Sequence, residues 1–383
     1  MKIRYSMIGG GPGSFIGAVH RRAAWLDGGF ELVGGAFSSN SSQSKSTGEE
    51  LGLSAERVHG SFEAMLEAEV RLSGEERIQA VSIVTPNHVH AAPAIRALEM
   101  GFHVIIDKPL ALSLDEAREI EKLVKKTGRV LALTHTYAGY PMVKEARHLV
   151  KSGKLGKIRK IFVEYPQGWL STFLESEGNR QAGWRTDPAR SGAGGSVGDI
   201  GTHAAHLAEY VSGLRITEIC AELNTVVNGR QLDDDAAALL HFEEGASGVL
   251  IATQVAAGEE NAVKIRVYGE LGGLEWIHSN PNSLLFKPLD GPAQIYRAGT
   301  GYLHESTSAN TRLPAGHPEG YIEAFANIYT GFSRAIQDYE KGNYQGPESY
   351  DFPSLEEGIR GMAFIETMIA SSKSDKKWTK FSI

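Results

Sequence analysis

The sequence predicts an α/β chain in two parts: a doubly wound parallel sheet, then an α+β domain on an open, mostly antiparallel sheet. Three observations predict it. Up to about residue 136 short β-rich runs alternate with helical stretches, the pattern of βαβ units joined by right-handed crossovers. Beyond that point the β-rich runs are longer and follow one another, with the turn pairs Asn228-Gly229 and Glu244-Gly245 between them, which favours antiparallel pairing. A length of 383 residues also suits two domains better than one, and the change of texture divides them into 1–136 and 137–383.

Taken in order, 3–8 reads as a strand, followed by a glycine cluster and a helix through 18–24. Residues 30–37 form the second strand, and Asn40-Ser41-Ser42-Gln43 opens a polar helix. Short apolar strands are expected at 80–84, 103–106 and 130–134, with helices at 89–100 and 114–126. Ala138-Gly139-Tyr140-Pro141 breaks the pattern, and a helix follows through 151. Strands are then expected at 158–165, 218–227, 236–242, 247–255 and 263–268, and helices at 319–339 and 355–371 close the chain. There is no internal repeat and no low-complexity tract.

Composition narrows the class. Hydrophobic residues at 42% and charged residues at 22% suit a globular protein with a full core. A net charge of −7 gives no basic footprint for nucleic acid or an anionic membrane. No apolar run reaches the ~18–20 residues that span a bilayer. Cys220 is the one cysteine, so no intrachain disulfide can form. No secretory signal is legible at the start, and the cytoplasm is the expected compartment.

The glycine cluster carries the first chemistry. In Gly9-Gly10-Gly11-Pro12-Gly13-Ser14-Phe15-Ile16-Gly17, glycine allows a sharp turn, lets backbone amides approach a pyrophosphate and packs the helix on the strand. Ser14 stands where the third glycine of G-x-G-x-x-G would fall, so the spelling from Gly11 is G-x-G-x-x-x-G, ending at Gly17. Its place between strand and helix points to a dinucleotide loop built from Gly9, Gly11, Gly13, Ser14, Phe15 and Ile16, a purely structural glycine-rich turn being the plainer alternative. At the end of the second strand an acid would bind the ribose hydroxyls of NAD, but Ser38-Ser39-Asn40 stand there with Lys45 nearby. Both NAD and NADP stay open.

The strand at 103–106 runs into Asp107-Lys108-Pro109. Strand carboxyl ends face the ligand crevice of an open parallel sheet, so Lys108 is placed to reach a substrate hydroxyl, or else is a solvated charge. A glycine run, Ser191 to Gly198, then leads into Asp199-Ile200-Gly201-Thr202-His203. Four residues apart on a helix, Asp199 and His203 share a face, and a histidine beside a carboxylate can serve as a general base. A helix cap followed by a buried histidine is the plainer alternative. His206 continues the face as a structural residue. Trp184 and Arg185 suit stacking on a sugar ring or clamping a loop, Tyr137 follows the last parallel strand, and His317 either reaches substrate or starts a helix. Acids and histidines lack zinc-ligand spacing, and no metal is expected.

Taken together, the opening glycine loop, Thr85-Pro86-Asn87-His88-Val89-His90, Lys108-Pro109, and Gly194-Gly195 leading into Asp199-x-Gly201-x-x-His203 resemble the Gfo/Idh/MocA oxidoreductase family over nearly the whole chain. The resemblance implies an N-terminal Rossmann dinucleotide-binding domain and a substrate-binding and oligomerisation domain. It also implies an NAD(P)-dependent dehydrogenase acting on a secondary hydroxyl of a sugar, glycoside or cyclitol. Lys108 would contact the reacting hydroxyl and His203 would act as base. Asp199 would orient His203 or hold a neighbouring hydroxyl, and Thr85, Pro86 and Asn87 would line the dinucleotide with Asp107 and Lys108. Asp107 stands where the family commonly has glutamate. His90 is expected to be a packing residue. Two other outcomes remain on this fold: an NAD-dependent glycosidase or lyase that oxidises transiently, and a sugar or nucleotide sensor without chemistry. An open sheet with one bare face is expected to pair in a dimer or tetramer.

Overall fold

A computed structural model describes residues 2–383; Met1, where the 1–136 assignment begins, lies outside the described residues. Residues up to Thr136 with Phe325–Ile359 form one compact unit, and Tyr137–Ala324 with Arg360–Ile383 form another. Residues 325–359 thus group with the first unit, although the sequence reading placed them in 137–383.

The first unit holds five parallel strands, β1 (Ile3–Gly9), β2 (Phe30–Ala36), β3 (Ala80–Val84), β4 (His103–Ile106) and β5 (Leu131–Leu133), in the order β2-β1-β3-β4-β5. Every residue of β3 and β4 is buried, as a sheet covered on both faces requires. The helix Leu114–Thr127 shows why its residues are helical. Ser113 accepts from Glu116 N, acids fill the first turn, Lys125 and Lys126 the last, and Gly128 ends it left-handed at φ 68. The borrowed segment is held by an apolar stripe: Phe325, Tyr329, Phe332 and Ile336 are buried, and Phe332 stacks 5.9 Å from Phe30 of β2.

The second unit is built on nine strands: β6 (Ile158–Pro166), β7 (Ile216–Asn224), β8 (Asp235–Phe242), β9 (Ser247–Thr253), β10 (Lys264–Gly269), β11 (Gly272–Ile277), β12 (Ser283–Pro288), β13 (Gln294–Arg297) and β14 (Thr379–Lys380). Their order is β13-β12-β11-β10-β6-β9-β8-β7-β14, and all neighbours are antiparallel except β6 and β9. Burial alternates along β6, β8 and β9, so one face is core and the other is more open. The helix Thr202–Ser212 lies on the core face against β6. The strands at 272–277, 283–288 and 294–297 and the helix Phe62–Val70 were not anticipated, and Val197–Gly201 is π-helical where an α-helix was expected.

Candidate active site

In the first unit the strand order reverses between β1 and β3, and ligands of such sheets bind outside the carboxyl ends at that switch. β1 ends in the glycine loop, where Gly9, Gly10 and Gly13 have φ of 85, 79 and 76, conformations that side chains resist. A Cβ on Gly17 would lie 2.4 Å from Gly10 Cα, so Gly17 takes the packing role of the third glycine. Ser14 instead caps the helix Phe15–Leu26, its Oγ accepting from Gly17 N at 3.2 Å. No atom lies within 4 Å of where a Gly13 Cβ would stand, so backbone here is open to a phosphate beside a helix N-terminus. The loop fits a dinucleotide pyrophosphate. At the end of β2, Asn40 Oδ1 is committed to capping the next helix through Ser42 N and Gln43 N, and Ser38 Oγ donates to Gln43 Oε1 at 3.1 Å. Ser39 is exposed, and no carboxylate stands among the three.

The turn after β3 meets this loop, since a Gly9 Cβ would lie 3.0 Å from Thr85 Cγ2. His90, taken from the sequence as a packing residue, does more. Its Nδ1 lies 2.7 Å from Pro109 O and its Nε2 2.9 Å from Thr85 O, so the ring sits between the Thr85-Pro86-Asn87 turn and the Lys108-Pro109 step and, when neutral, donates to one of the two carbonyls. Burial holds its pKa below the ordinary value, opposed by the Asp107 carboxylate and the two carbonyls. Asp107 Oδ1 accepts from Lys108 N at 2.9 Å and from Thr134 Oγ1 at 2.7 Å, which joins the ends of β4 and β5. Lys108 is half-buried, and its peptide bond to Pro109 is cis.

In the second unit the glycine run has a specific cause that sequence reasoning missed. Asp233 lies buried beneath it and accepts from Gly195 N at 2.7 Å, Ser196 Oγ at 2.8 Å and Val197 N at 2.8 Å. A Cβ on Gly195 would fall 2.0 Å from Asp233 O, so the chain must be glycine there. Burial nevertheless pushes the Asp233 carboxyl up against these three donors, which pull it down. The next turn, Val197–Gly201, is a π-helix closed by Thr202 N donating to Val197 O, a feature frequent at functional sites. Asp199 sits on this widened turn and His203 on the α-helix that continues it.

Asp199 Oδ2 accepts from Gln254 Nε2 at 2.8 Å, with Arg185 Nε 3.6 Å away. The Arg185 guanidinium lies 4.2 Å from the Trp184 ring centre and 6.0 Å from that of Trp169, and it donates to Gln181. Asp199, Arg185 and Trp184 therefore come together. His203 is nearly buried, its ring edge-on to Tyr137 at 5.1 Å and tilted against Tyr165 at 6.2 Å. Tyr137 is itself buried, with its hydroxyl 2.6 Å from that of Tyr165, so it walls the histidine. Burial raises both phenols well above their usual range and keeps them neutral. His317 lies exposed in the turn before the helix Tyr321–Glu340, its Nδ1 3.2 Å from Pro314 O.

Gln254, Gln167, Trp169, Tyr165 and Asn261 were also missed. The signal was positional: β6 and β9 are the parallel pair, so the polar residues just past their carboxyl ends stand side by side, and Gln167 N donates to Thr253 O at 2.8 Å. Among the described residues no group of three or more histidine, cysteine or acidic side chains could hold a metal, and no helix is long and apolar enough to cross a membrane.

Residues 3–135 match the oxidoreductase family with an NAD-binding Rossmann fold, and residues 143–275 match the GFO/IDH/MocA C-terminal domain. An uncharacterized oxidoreductase of Bacillus subtilis is 32% identical over 99% of this chain and 97% of its own. An inositol dehydrogenase homolog from Azotobacter vinelandii, solved with NAD+, is 34% identical, covers 100% of this chain and 98% of its own, and superposes with a TM-score of 0.94. The same homolog was also solved with NADH and myo-inositol. Levoglucosan dehydrogenase of Pseudarthrobacter phenanthrenivorans is 29% identical over 54% of this chain and 57% of its own.

Proposed function

Starting from the membership of this chain in the Gfo/Idh/MocA family of NAD-binding oxidoreductases, we propose that it reversibly oxidises one secondary hydroxyl of a sugar, glycoside or cyclitol. The observation that carries this reading is the Asp199 carboxylate, held by Gln254 and Arg185 one turn ahead of a walled His203. The inositol dehydrogenase homolog, with its bound myo-inositol, supports the polyol class. In this proposal residues 1–136 serve the dinucleotide, and 137–383 serve the substrate and subunit contacts.

A dinucleotide held in the first unit would supply the acceptor for the hydride that leaves the hydroxyl-bearing carbon. His203 removes the hydroxyl proton, and the Lys108 ammonium stabilises the alkoxide that develops. Asp199 orients the imidazole or holds the adjacent hydroxyl, while Trp184 and Arg185 offer an aromatic face and a guanidinium suited to a sugar ring. The Gly9-to-Ile16 loop, Ser38 to Asn40, Thr85 to Asn87, Asp107 and Lys108 line the dinucleotide, and Tyr137 and His317 belong to the substrate side. The more open face of the second sheet, with Leu239 and Ile251 exposed on neighbouring strands, pairs with another copy in a dimer or tetramer. A monomeric mass by light scattering at micromolar concentration would contradict that pairing.

The test is NADH or NADPH absorbance with free sugars, inositols and glycosides, each with NAD and with NADP. A rise with one substrate class identifies the dehydrogenase. Bond cleavage without net NADH points to the transient-oxidation reading, and neither signal points to a sensor. Lys108→Ala and His203→Ala should each lower kcat on the order of 10² or more. Near-native turnover in His203→Ala refutes the base assignment.

A further inference from the structure

We propose that Gln254 is a positioning residue, oriented through Gln167 by the Trp169 indole, that holds the Asp199 carboxylate in one direction. The proposal rests on the preceding reading that Asp199 serves the reaction. An indole N–H can only donate. Trp169 Nε1 lies 3.1 Å from one end of the Gln167 amide, so that end is Oε1. The opposite end, Nε2, then faces Asn261 Oδ1 at 2.6 Å and Tyr165 Oη at 3.3 Å.

Gln254 presents one atom to two acceptors, Gln167 Oε1 at 3.4 Å and Asp199 Oδ2 at 2.8 Å. That atom is the amide nitrogen, and both of its hydrogens are committed. A flipped Gln254 would set its oxygen against a carbonyl and a carboxylate at once, so the indole fixes this amide through Gln167. The backbone leaves no slack either, because Gln254 N donates to Asp234 O at 2.8 Å. Gln254 is only 2% exposed. By contrast, the 3.6 Å from Arg185 Nε to Asp199 exceeds hydrogen-bond length, so Arg185 contributes charge while Gln254 contributes direction. The same hydrogen-bonded frame reaches the wall of His203. Tyr165 spends its proton on Asn261 Oδ1 at 2.9 Å, so at the 2.6 Å contact Tyr137 donates to Tyr165. One frame, polarised from one indole, thus supports both Asp199 and the ring against His203.

Asp199 lies on the π-helical turn Val197–Gly201, a feature frequent at functional sites. The test compares Gln254→Met, Asp199→Asn and the double variant, using the substrate that gives the highest turnover in the panel, together with crystal structures of the parent and Gln254→Met. A lost bond to a carboxylate is worth about 10- to 100-fold in kcat/KM. We expect that loss in Gln254→Met, an Asp199 carboxylate turned from its parental direction, unchanged NAD affinity, and a double variant no worse than Asp199→Asn alone. Should the methionine variant fail to fold, Gln254→Glu keeps the shape and sets an acceptor against an acceptor, with the same outcomes expected. Multiplying effects in the double variant, an unmoved carboxylate, or parental kcat/KM in the Gln254 variant overturns the proposal. Parental turnover in Asp199→Asn instead removes the reading beneath it, and the crystal structures still decide whether Gln254 directs the carboxylate.

Discussion

Replacing Asp233 by alanine should loosen the turn that launches Asp199 and His203 while leaving the rest of the second sheet intact. Three donors, Gly195 N, Ser196 Oγ and Val197 N, bind this one carboxylate at 2.7–2.8 Å. Each bond to a charged acceptor is worth about 1.5–3 kcal/mol, so their gross sum is roughly 4–9 kcal/mol. The carboxylate is buried, however, and burial outweighs the donors enough to raise its pKa, so desolvation offsets a good part of that sum. The alanine variant also strands two buried amides, at about 1–3 kcal/mol each. Those stranded amides set the scale of the net loss, about 2–6 kcal/mol. Urea unfolding followed by tryptophan fluorescence measures it, because Trp276 is fully buried in the same unit. Asp233→Asn keeps one oxygen acceptor and should lose less. A loss under about 1 kcal/mol in Asp233→Ala would refute the inference that the carboxylate holds this turn.

Three further outcomes follow. Gly17→Ala should raise KM for NAD about tenfold, because its Cβ would meet Gly10 Cα at 2.4 Å, whereas Gly183→Ala, with nothing within 4 Å, should be silent. Ser38→Asp puts a carboxylate at the end of β2, and kcat/KM with NADP should fall at least about tenfold relative to NAD in paired initial-rate assays. Burial lowers His20 to about 4 and His103 to about 3, from 6.5. The unfolded chain therefore takes up protons first as pH falls, and stability present above about 6.5 is lost progressively toward the folded values. At about pH 5 each histidine has cost roughly 2 kcal/mol, so Tm should drop between neutral pH and there, and less steeply in His103→Gln. An unchanged slope in that variant would count against the assignment.

The fold was legible where periodicity and punctuation coincide. The parallel strands announce themselves through short apolar runs with glycine-rich or polar ends, and Leu114–Thr127 through its caps and charge order. The strands at 272–277 and 283–288 were not, because paired glycines and a Pro-Asn turn break their runs before alternation accumulates. The 325–359 segment carries an ordinary amphipathic stripe, and a stripe states that a face is buried without stating which sheet buries it.

The site divides along the same line. Glycine positions, Asp199, His203 and the Trp184-Arg185 pair are visible as residue types in order, since their spacing along the chain is itself the signal. Asp233, Gln254 and Gln167 are remote in sequence from what they hold, and only strand register brings them there. Asp233 follows Leu232 just before β8, Gln254 follows β9, and Gln167 follows β6, so three strand ends converge on one π-turn. The parallel β6–β9 pair in an otherwise antiparallel sheet is what makes this possible, because only parallel neighbours bring two carboxyl ends to the same edge. Reversing either strand would separate Gln167 from Gln254, the residue whose amide donates to Asp199. The exception in the sheet's pattern is therefore the part that builds the site.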